Sequence, residues 1–262
     1  MVRLAYFILI VISSMAPVLA QQASYRVEVS PGIAQVVAHD ALVNPYRYAG
    51  YTAGSMQLRG VWEGARYGAQ VQVLGLAATA QPVEFAEVYY EANSLRFKAT
   101  NLKVNFWRSI TFSPKLHLDL GLGYGAGFRN WTQTYRHVLY EAGQGTRRSY
   151  LRSVAQFSVD VQTHVLVQEG HQIGLRVGYS PLSYLARPTD NYVNLGHENP
   201  PQWGWYAWMN YYAYSLGLVY QWQLAEHWGL SLEYSHQHQF LAFPSVYAER
   251  IQRLGLGVVT YF

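Results

Sequence analysis

The chain has 262 residues, 50% of them hydrophobic and 16% aromatic, but only 13% charged, against roughly 25% in an ordinary soluble domain. Twenty-three Tyr, eight Trp and ten Phe beside 22 Gly suit pleated strands and tight turns, which excludes a coiled coil or a disordered chain. The net charge of +4 carries only three lysines (Lys98, Lys103, Lys115) and no basic run, so a nucleic-acid footprint is missing, and with no cysteine there is no disulfide framework or thiolate chemistry.

From the N-terminus, Arg3 precedes an apolar run from Leu4 to Ile12, and Ser13, Ser14 and Pro17 interrupt the segment before Val18-Leu19-Ala20. Residues 1–20 read as a secretory signal peptide with Gln21 as the mature start. The run falls short of the ~20 residues a spanning helix needs, and no cysteine follows Ala20 for lipid attachment. Residues 21–262 are then one β-barrel domain. Beyond residue 20 no stretch of 18 apolar residues occurs, so any membrane crossing is made by strands.

Alternation with period two carries that reading. Leu116, Leu118, Leu120, Leu122, Tyr124, Ala126 and Phe128 share one face, while His117, Asp119, Gly121, Gly123, Gly125, Gly127 and Arg129 share the other. From 151 to 167 the odd positions, from Leu151 through Phe157, Val159 and Val161 to Val167, form the apolar face. The same pattern follows in Ile173/Leu175/Val177/Tyr179, in Tyr212/Tyr214/Leu216/Leu218/Tyr220/Trp222/Leu224, in Trp228/Leu230/Leu232/Tyr234 and in Leu254/Leu256/Val258. Strands are predicted near 23–37, 53–63, 67–78, 95–111, 115–130, 149–167, 171–184, 210–224, 227–240 and 249–262. Short turns at 64–67, 112–115, 168–171 and 225–227 alternate with long connections near 39–52, 79–94, 131–148, 185–209 and 241–248. That asymmetry predicts an all-β, antiparallel up-and-down transmembrane barrel of about ten strands, eight or twelve being the neighbouring even counts. Trp62, Trp107, Phe112, Trp222, Trp228 and Phe262 fall at the short-turn ends, and Phe128, Tyr179, Tyr212, Tyr214 and Tyr234 toward the long loops. Two interfacial girdles are implied. A shift of hydrophobic phase between Phe97 and Leu102 suggests a bulge, and 82–96 a hairpin above the membrane.

In these features the chain resembles bacterial outer-membrane β-barrel proteins. Its last strand, Leu254-Gly255-Leu256-Gly257-Val258-Val259-Thr260-Tyr261-Phe262, is similar to their C-terminal assembly signal, with Thr260 where an apolar residue is usual. The resemblance is architectural and names no subfamily. It implies the bacterial outer membrane, a lipid environment, and the barrel-assembly machinery as partner of the last strand. A soluble barrel would also alternate, but its polar face would be rich in Lys, Glu and Asp; here that face is mostly Gly, Ser and Gln.

The inner face is expected to carry Arg26, Glu28, Arg59, Glu63, Asp119, Arg129, Arg152, Asp160, Arg176, Glu233 and Arg253. Both signs are present, so a packed polar interior of ion pairs is favoured over an Arg-lined solute path, as barrels of this size fill themselves with side chains. For catalysis the local candidate is Ser235-His236-Gln237-His238, but alternation puts Ser235 opposite the two histidines. His236 and His238 could chelate a metal only with further ligands, for which His197 and Glu198 are conceivable; an interfacial pair of histidines is favoured. His117, His164 and Asp160 read as lumen packing rather than catalysis. The segment from Asp190 to Met209 holds Tyr192, His197, Pro200, Pro201, Trp203, Trp205, Tyr206 and Trp208, an aromatic-rich composition suited to a lid or a docking surface for a protein or small ligand. No P-loop, dinucleotide fingerprint or zinc-protease motif occurs; Gly121-Leu122-Gly123-Tyr124-Gly125 lies inside a strand. No cofactor, resident metal or catalytic residue is assigned. The expected function is a non-enzymatic surface-binding or envelope component; a lipid-modifying or lipid-hydrolysing enzyme, or a narrow channel, is the alternative.

Overall fold

Period-two patterning becomes strand throughout the computed structural model, which describes residues 24–40, 49–64, 66–80, 90–137, 144–187, 202–207, 210–242 and 246–262. Eleven strands run in chain order: β1 (Ser24–Asp40), β2 (Ala49–Glu63), β3 (Tyr67–Ala80), β4 (Tyr90–Ser113), β5 (Leu116–His137), β6 (Gln144–Gln168), β7 (His171–Arg187), β8 (Gln202–Ala207), β9 (Tyr211–Ala225), β10 (Trp228–Leu241) and β11 (Tyr247–Tyr261). The expected signal peptide, residues 1–20, lies outside the described residues. No helix of the described residues is long and apolar enough to cross a membrane.

Every two successive strands except β8 and β9 pair antiparallel, and β1 pairs with β11 to close the sheet on itself. β7 pairs with β9 along residues 171–180 and with the short β8 along 182–187, so β8 and β9 together fill one position. The result is a closed barrel of ten positions, as the alternation predicts. Closure leaves no open edge along the span, the condition for crossing a bilayer with strands, and only the short β8 at the long-loop end is paired on one side alone. All short turns lie at one end, where Tyr25 and Phe262 also exchange backbone hydrogen bonds of 3.3 and 2.9 Å. Gly170, at φ +74°, closes the two-residue turn between β6 and β7 in a region that side chains avoid.

At the other end the strands outrun the membrane. β4, β5 and β6 have 24, 22 and 25 residues, while about 9–11 tilted residues suffice for a span. Residues expected as loop, 131–137 and 144–148, are therefore paired wall. Of the segment expected as a hairpin, 82–96, residues 90–96 open β4 and pair with β5, and 81–89 lie outside the described residues.

The outer surface is apolar. Ile33, Leu122 and Leu256 are 65%, 68% and 61% exposed, with Val29, Leu120, Leu175 and Leu218 beside them. A soluble barrel would hide such side chains inside, and a continuous apolar belt of this kind needs lipid tails as its solvent. Phe112, Trp222, Trp228 and Phe262 stand outward at the short-turn end, and Tyr179, Tyr214 and Tyr234 at the other, forming the expected girdles. Trp107 is a correction. It shares the inner face with Lys103 and Asn105, and it covers Gly68, where an added Cβ would lie 2.3 Å from its ring.

Inside, the composition changes with height. The half nearer the short turns holds Arg26, Glu28, Ser30, Gln57, Arg59, Ser231 and Glu233, all buried. The half nearer the long loops is an apolar cluster that includes Val36, Leu74, Leu76, Phe97, Leu185, Tyr211, Leu241, Tyr247 and Ile251. Small residues (Ala34, Ala38, Ala53, Ala78, Ala99, Ala213) share that cluster with large ones, among them Leu74, Leu76 and Phe97 on β3 and β4 and Tyr211, Tyr247 and Ile251 on β9 and β11, so small and bulky side chains fill the lumen together. The interior is therefore only half polar, where a polar filling throughout was expected. The same fact explains the apparent phase shift after Phe97. Register is unbroken from Leu95 to Arg108 against β3, and Phe97, Ala99, Asn101 and Lys103 all occupy inner-face positions. The lumen turned apolar; the strand did not bulge.

Real irregularities lie in the β5–β6 ladder, where register shifts at Gly125/Gly127, and in the β6–β7 ladder, at Ser153/Ala155 and Phe157/Val159. Pro181, which has no N–H to give to a ladder, falls within one of them, and Ser180 Oγ bridges it by donating to the Phe157 carbonyl at 2.5 Å. Beyond the shift the alternation inverts: Ser183 and Leu185 are buried, while Val154 is 45% exposed. Arg152, expected on the inner face, is instead in register with Phe128 of the outer one.

Candidate functional site

Ten of the eleven charged residues expected on the inner face do occupy it, in three groups. In the first, Arg59 bridges the lumen between neighbouring and distant strands. Its Nη1 donates to Glu28 Oε2 at 2.7 Å, and its Nη2 donates to both oxygens of Glu233 at 2.9 and 2.8 Å. Gln57 Nε2 also donates to Glu233 (2.7 Å) and Ser231 Oγ to Glu28 (2.6 Å). Arg253 donates from Nε to Ser55 Oγ at 3.1 Å and from Nη2 to the Ser30 carbonyl at 2.5 Å. Nearer the short turns, Arg26 pairs with the half-buried Glu63 at 2.8 Å. The bonds of Arg59 and Gln57 on β2 to Glu233 on β10 span non-adjacent strands, whereas Glu28–Arg59, Arg26–Glu63 and Arg253–Ser30 link strands that are already paired.

The second group sits on β4, β5 and β6. Lys103 Nζ meets Asp160 Oδ1 at 2.5 Å, Ser158 Oγ donates to Asp160 Oδ2 at 2.7 Å, and His164 Nε2 lies 3.2 Å from Asp119, which also accepts from Ser109 Oγ at 2.7 Å. The Gly-rich inner face of β5 makes room for it: a Cβ on Gly123 would meet Ser158, Asn105 and Asp160 at 2.2, 2.5 and 2.7 Å. In the third group Arg129 Nε donates to both Glu249 oxygens at 2.9 and 2.8 Å and its Nη1 to Asn101 at 2.6 Å, while the Tyr247 hydroxyl donates to Glu249. This pair lies beside the apolar cluster. A cavity of about 110 Å³ remains between the groups, lined by Gln72, Asn101, Lys103, Gln156, Ser215 and Glu249 among others. It has room for a few waters.

The catalytic candidates are dispersed. His236 and His238 point outward, where Tyr214 contacts both rings at centroid distances of 5.9 and 5.2 Å, and Tyr212 contacts His238 at 5.7 Å and stacks on Phe240 at 5.4 Å. They belong to an aromatic ladder on β9 and β10, with Ser235 buried on the opposite face. His164 touches Asp119 and Gln162, with no hydroxyl placed against its other nitrogen by any bond described. His117 bonds Thr111 Oγ1 at 3.1 Å near the short-turn end. Among the described residues no three His, Asp or Glu side chains gather as a metal site; His197 and Glu198 lie outside the described residues.

The aromatic segment before Met209 is partly wall. Trp205 of β8 stacks on Phe157 at 6.0 Å and meets Tyr184 edge-on at 5.2 Å on the outer surface, and Tyr206 packs inward against the apolar cluster. Residues 188–201, with Tyr192, Pro200 and Pro201, and also Trp208, lie outside the described residues.

No protein-family model matches the sequence, and comparison with curated proteins gives no match either. Solved structures do match. The outer-membrane protease OmpT of Escherichia coli is similar at a TM-score of 0.56 and 10% identity, covering 91% of this chain and 97% of that one. The attachment invasion locus protein Ail of Yersinia pestis has a TM-score of 0.38 at 11% identity, over 92% of this chain and 100% of that one. Neisserial surface protein A gives 0.39 at 10%, with the same coverage. At such identity the likeness is one of fold. The chain has the fold of bacterial outer-membrane β-barrels, and its apolar belt and girdles suit that membrane.

Proposed function

We propose that the barrel is a sealed anchor in the outer membrane, and that its work is non-enzymatic binding of a protein or small ligand at the outer rim. The observation that supports this reading is the double closure of the lumen, by the Arg59–Glu28–Glu233 tier below and by the apolar cluster above. A pore needs a continuous polar, hydrated lining, and an apolar constriction resists wetting. Under the same reading residues 1–20 are removed as a signal peptide, and the strand ending in Phe262 presents the chain to the barrel-assembly machinery.

The test has two arms. In planar lipid bilayers the full-length barrel is expected to give no discrete conductance steps; steady unitary currents would overturn the sealed anchor. Cells displaying the chain are expected to adhere to at least one of protein-coated, glycan-coated or bare hydrophobic plates. Adhesion should fall when Trp203, Trp205 and Trp208 are replaced by Ser, and equal retention of displaying and non-displaying cells would refute rim binding.

A further inference from the structure

Two cations stand side by side on the membrane-facing wall. Along β4 the buried Phe97 and Ala99 face the lumen, so Arg96, Lys98 and Thr100 face outward, and all three are exposed. Among the described residues neither Arg96 nor Lys98 makes an ion pair or a side-chain hydrogen bond. By register Arg96 lies between Thr79 and Thr132, and Lys98 between Ala77 and Asn130. No acid is at hand on the neighbouring strands. β3 contains none, Asp119 and Asp160 are turned into the lumen toward His164 and Lys103, and the one acid of β4, Glu91, is in register with Arg136. The next strand keeps the same sign, since Arg148 and Arg152 of β6 are in register with Thr132 and Phe128 of β5.

The height is that of lipid headgroups. One ladder line of the apolar belt, Leu58, Val73, Leu102 and Ala126, lies just below, and the girdle residue Phe128 pairs with Thr100. A cation on the lipid face is tolerated near an interface and not at mid-membrane, and the long-loop end is the external one. Unpaired cations at a bilayer surface draw anionic lipid.

Beside Lys98 the wall is low. Its ladder line continues through Ala77 and Gly54 to Ile33. A Cβ at Gly54 would meet nothing within 4 Å, and one at Gly75 only the Met56 carbonyl at 3.9 Å. Ile33 and Met56, 65% and 53% exposed, border this floor, which is two strands or about 10 Å wide and leaves room for a hydrocarbon chain next to the cations. Outward side chains two apart on a strand are about 6.8 Å apart, so both cations reach one phosphate. A phosphomonoester carries about −1.5 to −2 at neutral pH, which two cations match. Thr132 Oγ1 donates to Asn130 Oδ1 at 3.2 Å and leaves the Asn130 amide nitrogen as a further donor.

We propose that Arg96 and Lys98 hold the phosphomonoester headgroup of an outer-leaflet lipid, with one acyl chain on the Gly54–Gly75–Ala77 floor. This site needs only the membrane location and is independent of the sealed lumen and of rim binding. The probes are phosphatidic acid, phosphatidylglycerol and phosphatidylcholine, each added to the full-length barrel in detergent and read by native mass spectrometry, with gel mobility reporting folding. Wild type should retain phosphatidic acid over the other two. Arg96→Gln with Lys98→Gln, both at exposed positions, should lower that retention roughly tenfold or more, and Ala77→Phe, which fills the floor, should lower it too. Arg108→Gln, at an exposed outward cation of β4 near the short turns, should leave it unchanged. Equal retention by wild type and the double variant, or an equal loss in Arg108→Gln, overturns the site. Phosphatidylglycerol or phosphatidylcholine held as tightly as phosphatidic acid overturns the monoester assignment, and unchanged retention in Ala77→Phe overturns the acyl seat. Displacement of the lipid by inorganic phosphate overturns lipid as the source of the phosphate.

Discussion

Replacing Glu233 with Gln removes one charge and nothing of the shape. The carboxylate is 5% exposed and accepts from Arg59 and Gln57, with Arg176 and Arg253 within 4 Å. Without it Arg59 keeps only Glu28, and the other two guanidiniums lose the carboxylate they share. Removing one partner of a buried pair costs about 3–5 kcal/mol, because the surviving charge stays buried. Glu63→Gln is the internal control: the same chemical change, at a pair whose acid is 36% exposed, where the cost is about 1 kcal/mol or less. Urea unfolding of both variants in detergent micelles or lipid vesicles, followed by tryptophan fluorescence and by gel mobility, gives the comparison. A Glu233→Gln loss below about 1 kcal/mol, or one equal to that of Glu63→Gln, would refute the claim that the lumen tier holds the walls together.

Three other outcomes are expected. Gly123→Val should abolish assembly into a heat-modifiable barrel, since its first carbon would fall 2.2 Å from Ser158 Oγ, whereas Gly54→Val, with nothing within 4 Å, should assemble normally. Leu218→Arg, at a belt position 51% exposed to lipid, should lower stability in vesicles by about 2–4 kcal/mol, and an unchanged unfolding midpoint would mean the belt does not face lipid. His236→Phe with His238→Phe should leave lipid composition of the host membrane unchanged and stability nearly so, because both rings already sit in an aromatic ladder; altered lipid A or phospholipid profiles would revive the enzyme reading.

Much of the barrel was legible because its signal is local. A strand that faces lipid on one side repeats every two residues, as Leu116 to Arg129 does, and turns interrupt it at visible intervals. The inner-face charges followed from the same parity. Their partners did not: Arg59 and Glu233 are 174 positions apart, and nothing in either neighbourhood names the other. Parity also fails where a register shift intervenes, as at Ser153/Ala155, beyond which Val154, at an even position, is exposed on the outside. The apolar upper lumen was written in the sequence yet easily misread. In β1 the inner positions run Arg26, Glu28, Ser30 and then Ala34, Val36, Ala38 at unchanged parity, a change of environment along one face. In β4 the same change, from Lys103 and Asn101 to Ala99 and Phe97, imitates a bulge.

That change of environment falls at one level around the wall: Ser30/Ala34 on β1, Gln72/Leu74 on β3, Asn101/Ala99 on β4 and Arg253/Ile251 on β11. Two different kinds of closure therefore meet there. The lower one is specific and brittle, since its bonds need both partners in place. The upper one is unspecific and tolerant, because packed rings such as Phe97, Tyr211 and Tyr247 exclude water by volume and survive the loss of any single charge. Breaking the tier at Glu233 should accordingly cost stability without opening a conducting path, since a hydrated ion entering from below still meets an apolar constriction. A barrel meant to conduct would be expected to carry its polar lining through to the outer mouth. Here the apolar cluster interrupts the lining, and the polar groups at its level, Arg129 with Glu249 and Ser153 with Ser183, are bonded to one another, which agrees with the proposed sealed anchor whose specificity lies on the rim.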